Sequence, residues 1–196
     1  MAAVETGSAI LTALYHNKRD EAKTLADHAR SLTIWEAAAL GDNERVAAIL
    51  DEQPELANAF APDGHTPLGL AAFFGPSSTT AVLLDRGAQV GLAARNEMKV
   101  QPLHAAVAAR NRDAAEALLA HGADPNARQQ VGYTPLMGAA AGGREDIVEL
   151  LLSRGADATL VTDDGKTAAI VAREHGQVPL AERLASGAPV TEASGR

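Results

Sequence analysis

A seven-residue motif returns four times at nearly constant spacing, and this periodicity constrains the fold more than any other feature of the chain. It reads Thr66-Pro67-Leu68-Gly69-Leu70-Ala71-Ala72, Gln101-Pro102-Leu103-His104-Ala105-Ala106-Val107, Thr134-Pro135-Leu136-Met137-Gly138-Ala139-Ala140 and Thr167-Ala168-Ala169-Ile170-Val171-Ala172-Arg173. The first residues lie 35, 33 and 33 positions apart. A second signature keeps step with the first: Leu83-Leu84-Asp85-Arg86-Gly87-Ala88, Leu118-Leu119-Ala120-His121-Gly122-Ala123-Asp124 and Leu151-Leu152-Ser153-Arg154-Gly155-Ala156-Asp157. A period of this length means one supersecondary unit used repeatedly, each copy burying its apolar face against its neighbours.

Each copy reads as two short helices and a loop. Threonine caps the first helix, and proline follows where its missing N–H costs nothing. The leucine and the alanine pair fall on one face at helical spacing. Gly75 and Gly143 break the chain between helices, and Gly87, Gly122 and Gly155 stop the second helix as left-handed caps. Composition agrees: 46% of the 196 residues are apolar but only 3% are aromatic, so the core is built from alanine and leucine, as in closely packed helices. Small alanines let adjacent helices approach closely.

The Thr-Pro-Leu-His-type opening, the Leu-Leu, the Gly-Ala-Asp and the period together resemble the ankyrin repeat, most clearly over residues 63–185. The resemblance implies an all-α solenoid of stacked helix-turn-helix units with protruding loops or β-hairpins. Repeats are expected at about residues 32–62, 63–97, 98–130, 131–163 and 164–185, within a single domain. The first lacks Thr-Pro but carries Ile34-Trp35-Glu36-Ala37-Ala38-Ala39-Leu40-Gly41, with Trp35 facing inward. Residues 1–31 read as a degenerate helix pair capping the N-terminal end, since terminal repeats are atypical. In the last unit Ala168 replaces the proline, and Pro179 is placed in the first turn of the second helix. Residues 186–196 are expected to be a disordered tail.

Composition and motif content exclude most chemistry. The chain has no cysteine, which removes disulfides, thiolate metal sites and cysteine nucleophiles. The net charge of −8 argues against nucleic acid and anionic membrane as partners. There is no signal-peptide pattern at the start and no apolar run of about 18 residues, so a cytoplasmic location is expected. Gly165-Lys166-Thr167 ends like a phosphate-binding loop, but position 160, where that loop needs its first glycine, is Leu160. The six histidines (His16, His28, His65, His104, His121 and His175) include no pair spaced to flank a glutamate on a helix. His104 occupies the opening-motif position and is expected to hydrogen-bond backbone between repeats. No Gly-x-Ser-x-Gly elbow occurs. Asp163-Asp164 reads as a solvated loop pair rather than an acid–base couple. The chain is therefore expected to be no enzyme and to need no cofactor or metal.

The resemblance also implies a concave face, made of loop tips and the free side of the first helices, where ankyrin proteins hold other proteins. The candidate residues on it are Phe60, Asp63 and His65; Arg95, Glu97 and Met98; Arg128, Gln130 and Tyr133; Asp163, Asp164 and Lys166; and Phe73 and Phe74, which end a first helix. Four of the six aromatics fall on these positions, and clustered exposed apolar surface marks interaction sites. Phe73 or Phe74 could instead fill interior space beside Ser77–Thr80, and the sequence leaves this open. The loop from Gly91 to Val100 is two residues longer than its neighbours and has Met98-Lys99 in place of an Asp-Gly turn. The expected function is binding of an unidentified protein partner by a monomer, as scaffold, inhibitor or adaptor. A small-ligand-binding or enzymatic protein on the same scaffold, and a structural self-associating protein, are the alternatives.

Overall fold

The computed structural model describes residues 8–187, which form twelve α-helices and no strand. The chain divides into two compact units, Met1–Ala123 and Asp124–Arg196. The first holds α1 (Ala9–Tyr15), α2 (Arg19–His28), α3 (Ile34–Leu40), α4 (Asn43–Glu52), α5 (Pro67–Phe74), α6 (Ser77–Asp85), α7 (Pro102–Ala108) and α8 (Arg112–Ala120). The second holds α9 (Pro135–Ala141), α10 (Glu145–Ser153), α11 (Ala168–Glu174) and α12 (Val178–Ser186).

The caps act as the motif dictates. Thr66 Oγ1 accepts the Gly69 N–H at 3.0 Å, and Pro67, Pro102 and Pro135 sit in the first turns of their helices. Where the first repeat lacks Thr-Pro, Thr33 and Glu36 form a reciprocal capping box that satisfies the same orphan donors. Asp42 and Asn111 cap α4 and α8. At the other end Gly87 has φ +83°, its N–H reaches Leu84 O at 3.0 Å, and the Ala88 N–H reaches Leu83 O at 3.0 Å. This double bond pattern needs a left-handed residue, which glycine supplies without a Cβ clash. Pro179 lies in the first turn of α12, as expected.

In the first unit α3, α5 and α7 pack side by side, with α4, α6 and α8 behind them. In the second, α9 packs on both α10 and α11, and α11 on α12. Leu68, Leu103 and Leu118 are buried in the first unit, and Leu136, Ile147 and Leu151 in the second. The α5 end comes so close to α3 that a Cβ on Gly75 would lie 2.9 Å from the Ala38 carbonyl oxygen. His104 is buried within α7.

Asparagines tie successive copies together, a feature the sequence pattern did not reveal. Asn58 donates to Gly87 O at 3.1 Å and accepts the Gln89 N–H at 2.7 Å. Asn126 repeats the arrangement with Gly155 O and the Asp157 N–H, at 3.0 and 2.8 Å. Each side chain satisfies one backbone acceptor at a helix end and one donor just beyond it.

The loop tips are turns closed by one or two backbone hydrogen bonds; no β-hairpin ladder forms among the described residues. The N-terminal helix pair forms, but it does not continue the stack. α4 packs on α6 and α6 on α8, whereas α2 makes no comparable contact with α4. A shallow pocket lined by Ile34, Trp35, Arg45, Ala48 and Glu52 stays open there instead. Trp35 is half-buried, with its indole N–H donating to Ala59 O at 3.2 Å. The last helix runs to Ser186, and residues 188–196 of the expected tail lie outside the described residues.

Candidate functional site

Four tips precede the first helices of the repeats. Three share one geometry: the N–H of the first residue bonds the carbonyl of the fifth, and a left-handed glycine stands fourth. They are 61–65 (Ala61 N–H to His65 O, 2.8 Å; Gly64 φ +83°), 129–133 (Gln129 N–H to Tyr133 O, 3.0 Å; Gly132 φ +75°) and 162–166 (Thr162 N–H to Lys166 O, 3.0 Å; Gly165 φ +82°). The fourth, 94–100, closes by the Ala94 N–H to Val100 O at 2.9 Å, and Lys99 takes the left-handed position at φ +50°. Its extra residues have a structural use. Asn96 accepts the Lys99 N–H at 3.2 Å, donates to Asp63 O at 3.4 Å, and brings its amide nitrogen 3.4 Å from His65 Nε2. With the Arg95 N–H on Gly64 O at 2.8 Å, the longer loop is fastened to its neighbour. Glu97 and Met98 are left projecting, and Met98 is 50% exposed.

An aromatic row runs beside these tips in the first unit. Phe73 and Phe74 meet edge to face with centroids 4.7 Å apart; Tyr15 packs on Phe74 at 5.1 Å and lies 6.4 Å from the His65 ring. Phe73 is 43% and Tyr15 47% exposed. Phe74 departs from the expected site: it is buried, packed with Ile10, Leu11, Leu14, Ala39 and Leu70, and so supports the exposed ring of Phe73 from beneath. The guanidinium of Arg95 stacks over the half-buried Phe60 ring at 3.9 Å, which orients both.

Tyr15 is the member of this aromatic row that sequence reasoning missed. Ser8 caps α1 by accepting the Leu11 N–H, just as Thr66 caps α5. Counted from these caps, Tyr15 stands at the same position as Leu40 and Phe73. The signal was present, but a helix without Thr-Pro gave no register to count from. The Tyr15 hydroxyl donates to Asp63 Oδ2 at 2.7 Å. Burial, and then the Asp63 carboxylate, push the phenol far above its ordinary 10.0. The raised value means that the stability linked to the protonated phenol is fully present below pH 10 and is lost as pH climbs through the folded-state value. In a phenolate absorbance titration Tyr15 is therefore expected to ionise well above 10.0, and Tyr15→Phe to remove that late step. An ordinary midpoint for Tyr15 would contradict its burial together with the Asp63 contact.

In the second unit the candidate residues are largely engaged with one another. Arg128 donates to Val161 O at 2.8 Å and lies 3.6 Å from Asp163. Lys166 reaches Glu174 at 2.9 Å and Asp164 at 3.4 Å; Glu174 first, then Asp164, raise its pKa. Asp164 accepts the Thr162 hydroxyl at 2.5 Å, which lowers its pKa together with the Lys166 contact. Tyr133 is half-buried, its hydroxyl 3.3 Å from Met137 O, and desolvation raises its pKa. Gln130 is exposed beside Val131, which at 59% is the most exposed large apolar side chain described.

The family model for ankyrin repeats (3 copies) matches residues 34–129 and 103–193. The chain belongs to the ankyrin-repeat family. Ankyrin repeats are in general protein–protein interaction modules, and the matched residues span every repeat helix from α3 onward. No curated protein matches the chain. Among the described residues no group of three or more His, Asp or Glu is placed to hold a metal ion, and no helix is long and apolar enough to cross a membrane.

Proposed function

We propose that this ankyrin protein binds a protein partner on the face built from its loop tips and the free side of its first helices, and acts by occupancy rather than by catalysis. The observation that carries this reading is the exposed Phe73 ring, held edge to face by the buried Phe74 ring beside polar loop tips. Rings held in place by a buried neighbour lose little freedom on binding, and such supported aromatics concentrate interface energy. Asp63, Arg95, Glu97 and Lys99 around them are exposed and of mixed sign, the composition of a rim that tunes rate and salt dependence. The net charge of −8 favours a protein over a polyanion.

The test is affinity capture from cell extract with wild-type protein, Phe73→Ala and Glu116→Ala in parallel. Glu116 lies on α8, among the outer helices, in a solvent-facing pair with Arg112 that contributes little to stability. Phe73→Ala is expected to weaken the specific partner by about 30-fold or more, corresponding to about 2 kcal/mol, while Glu116→Ala leaves binding unchanged. Equal binding by Phe73→Ala, or loss through Glu116→Ala, would refute this face as the site.

A further inference from the structure

The N-terminal helix pair precedes the first residue matched to the family and packs on the repeat helices that follow it. α1 packs on α3, and its apolar side chains reach α5. Ile10, Leu11, Ala13 and Leu14 are buried with Ala39 of α3 and with Leu70 and Phe74 of α5; Leu40 packs against the same cluster. Polar contacts fix both ends. The Ser8 hydroxyl donates to Glu36 Oε1 at 2.5 Å, the Tyr15 hydroxyl to Asp63 at 2.7 Å, and Arg19 Nη2 to the Phe74 carbonyl at 2.5 Å. The Phe74 carbonyl lies at the C-terminal end of α5, where backbone acceptors are unsatisfied and a cation is favoured. The anchor is thin on its second helix: α2 buries only Ala22. The pair is thus held by one short helix, and a terminal segment held in this way opens at lower free energy than the core it rests on.

We infer that the groove between α3 and α5 is a docking site for an amphipathic helix, that α1 is its resident in-chain occupant, and that the partner displaces it. The occupant shows the chemistry required. A fitting helix carries apolar residues spaced like Ile10, Leu11 and Leu14, a small polar residue at its start facing Glu36, and an aromatic hydroxyl and a cation at its end for Asp63 and the Phe74 carbonyl. A partner helix of this pattern meets acidic and carbonyl acceptors already in place, whereas an acidic segment is repelled by Glu36 and Asp63. This inference rests on the proposed protein-binding role but names its site and ligand. The apparent affinity of a partner is reduced by the fraction of time that the groove is closed.

The full-length chain tests this with a synthetic peptide of residues 8–28 as the probe. The double variant Ile10→Asp, Leu14→Asp places charge in the apolar contact and releases the pair. Trp35, the one tryptophan, is packed against the buried cluster, so its emission reports release and refilling. The released variant is expected to bind the peptide at least about tenfold more tightly than wild type, with Trp35 emission shifting red on release and back on binding. Amide exchange in α3–α8 should keep its protection. A peptide carrying Leu14→Asp should not bind. If the double variant loses protection throughout α3–α8, Tyr15→Phe with Arg19→Ala keeps the ring on Phe74, removes the polar contacts to Asp63 and the Phe74 carbonyl, and serves as the second opened form. Failure of the peptide to bind either opened form overturns the inference, as does global loss of protection in both. Concentration-dependent dimers of wild type that exchange the peptide would assign the groove to a second copy and overturn it too. The peptide assay uses no cellular partner, so a failed Phe73→Ala capture and a failed peptide titration remain distinguishable.

Discussion

Phe74→Ala is expected to cost about 3–5 kcal/mol of folding stability, whereas Phe73→Ala should cost well under about 1 kcal/mol. The two neighbours differ by the turn of one residue along α5. Phe73 keeps 43% of its surface in water, and Phe74 keeps 9%. Removing the Phe74 ring loses its transfer free energy and leaves a void among Ile10, Leu14, Ala39 and Leu70, which come from three separate helices and cannot all close in. It also deprives Tyr15 and Phe73 of the ring each packs against. Denaturant unfolding followed by far-ultraviolet circular dichroism measures both variants. Similar small losses for the two would contradict the assignment of Phe74 to the interior. Hydrogen exchange on Phe74→Ala should show α1 and α2 losing protection first, because their apolar face rests on this side chain.

Leu118→Ala and Leu151→Ala are each expected to lose about 2–5 kcal/mol. Both side chains have no exposed surface, on α8 and α10 respectively, and they occupy the same place in successive copies of the repeat. Leucine truncation leaves a cavity that helix backbones held by alanine-lined contacts cannot collapse to fill. Equilibrium unfolding of each variant, referred to the wild-type slope, checks this. A loss below about 0.5 kcal/mol at both sites would contradict the register that aligns Leu118 with Leu151.

Much of the fold was legible because a repeat states its own grammar several times. Thr66 and Thr134, each followed by proline, announced helix starts, and Gly87, Gly122 and Gly155 announced helix stops, because capping and left-handed conformations are properties of single residues and their immediate neighbours. The burial of Leu68, Leu118 and Leu151 followed from helical periodicity alone. That Phe73 and Phe74 end a first helix beside the loop tips was also legible in the sequence.

The fate of Phe74 was not. Its exposure depends on whether a second element lies over α5, and that element, α1, is encoded some sixty residues earlier without the repeat's punctuation. Local residue patterns carry no term for such a distant apolar match; only three-dimensional packing brings Ile10 and Leu14 to Leu70 and Phe74. The same holds for Asn58 and Asn126, whose short polar side chains read as turn residues until each is seen bridging two repeats. It holds too for Asn96, whose amide turns a longer loop into a fastened one. The sequence by itself determined the repeat, its caps and its core, because those depend on spacing within one helix pair. Tertiary structure alone decided where the N-terminal pair rests and which aromatic ring faces water, because burial of a given side chain depends on what else in the chain can reach it.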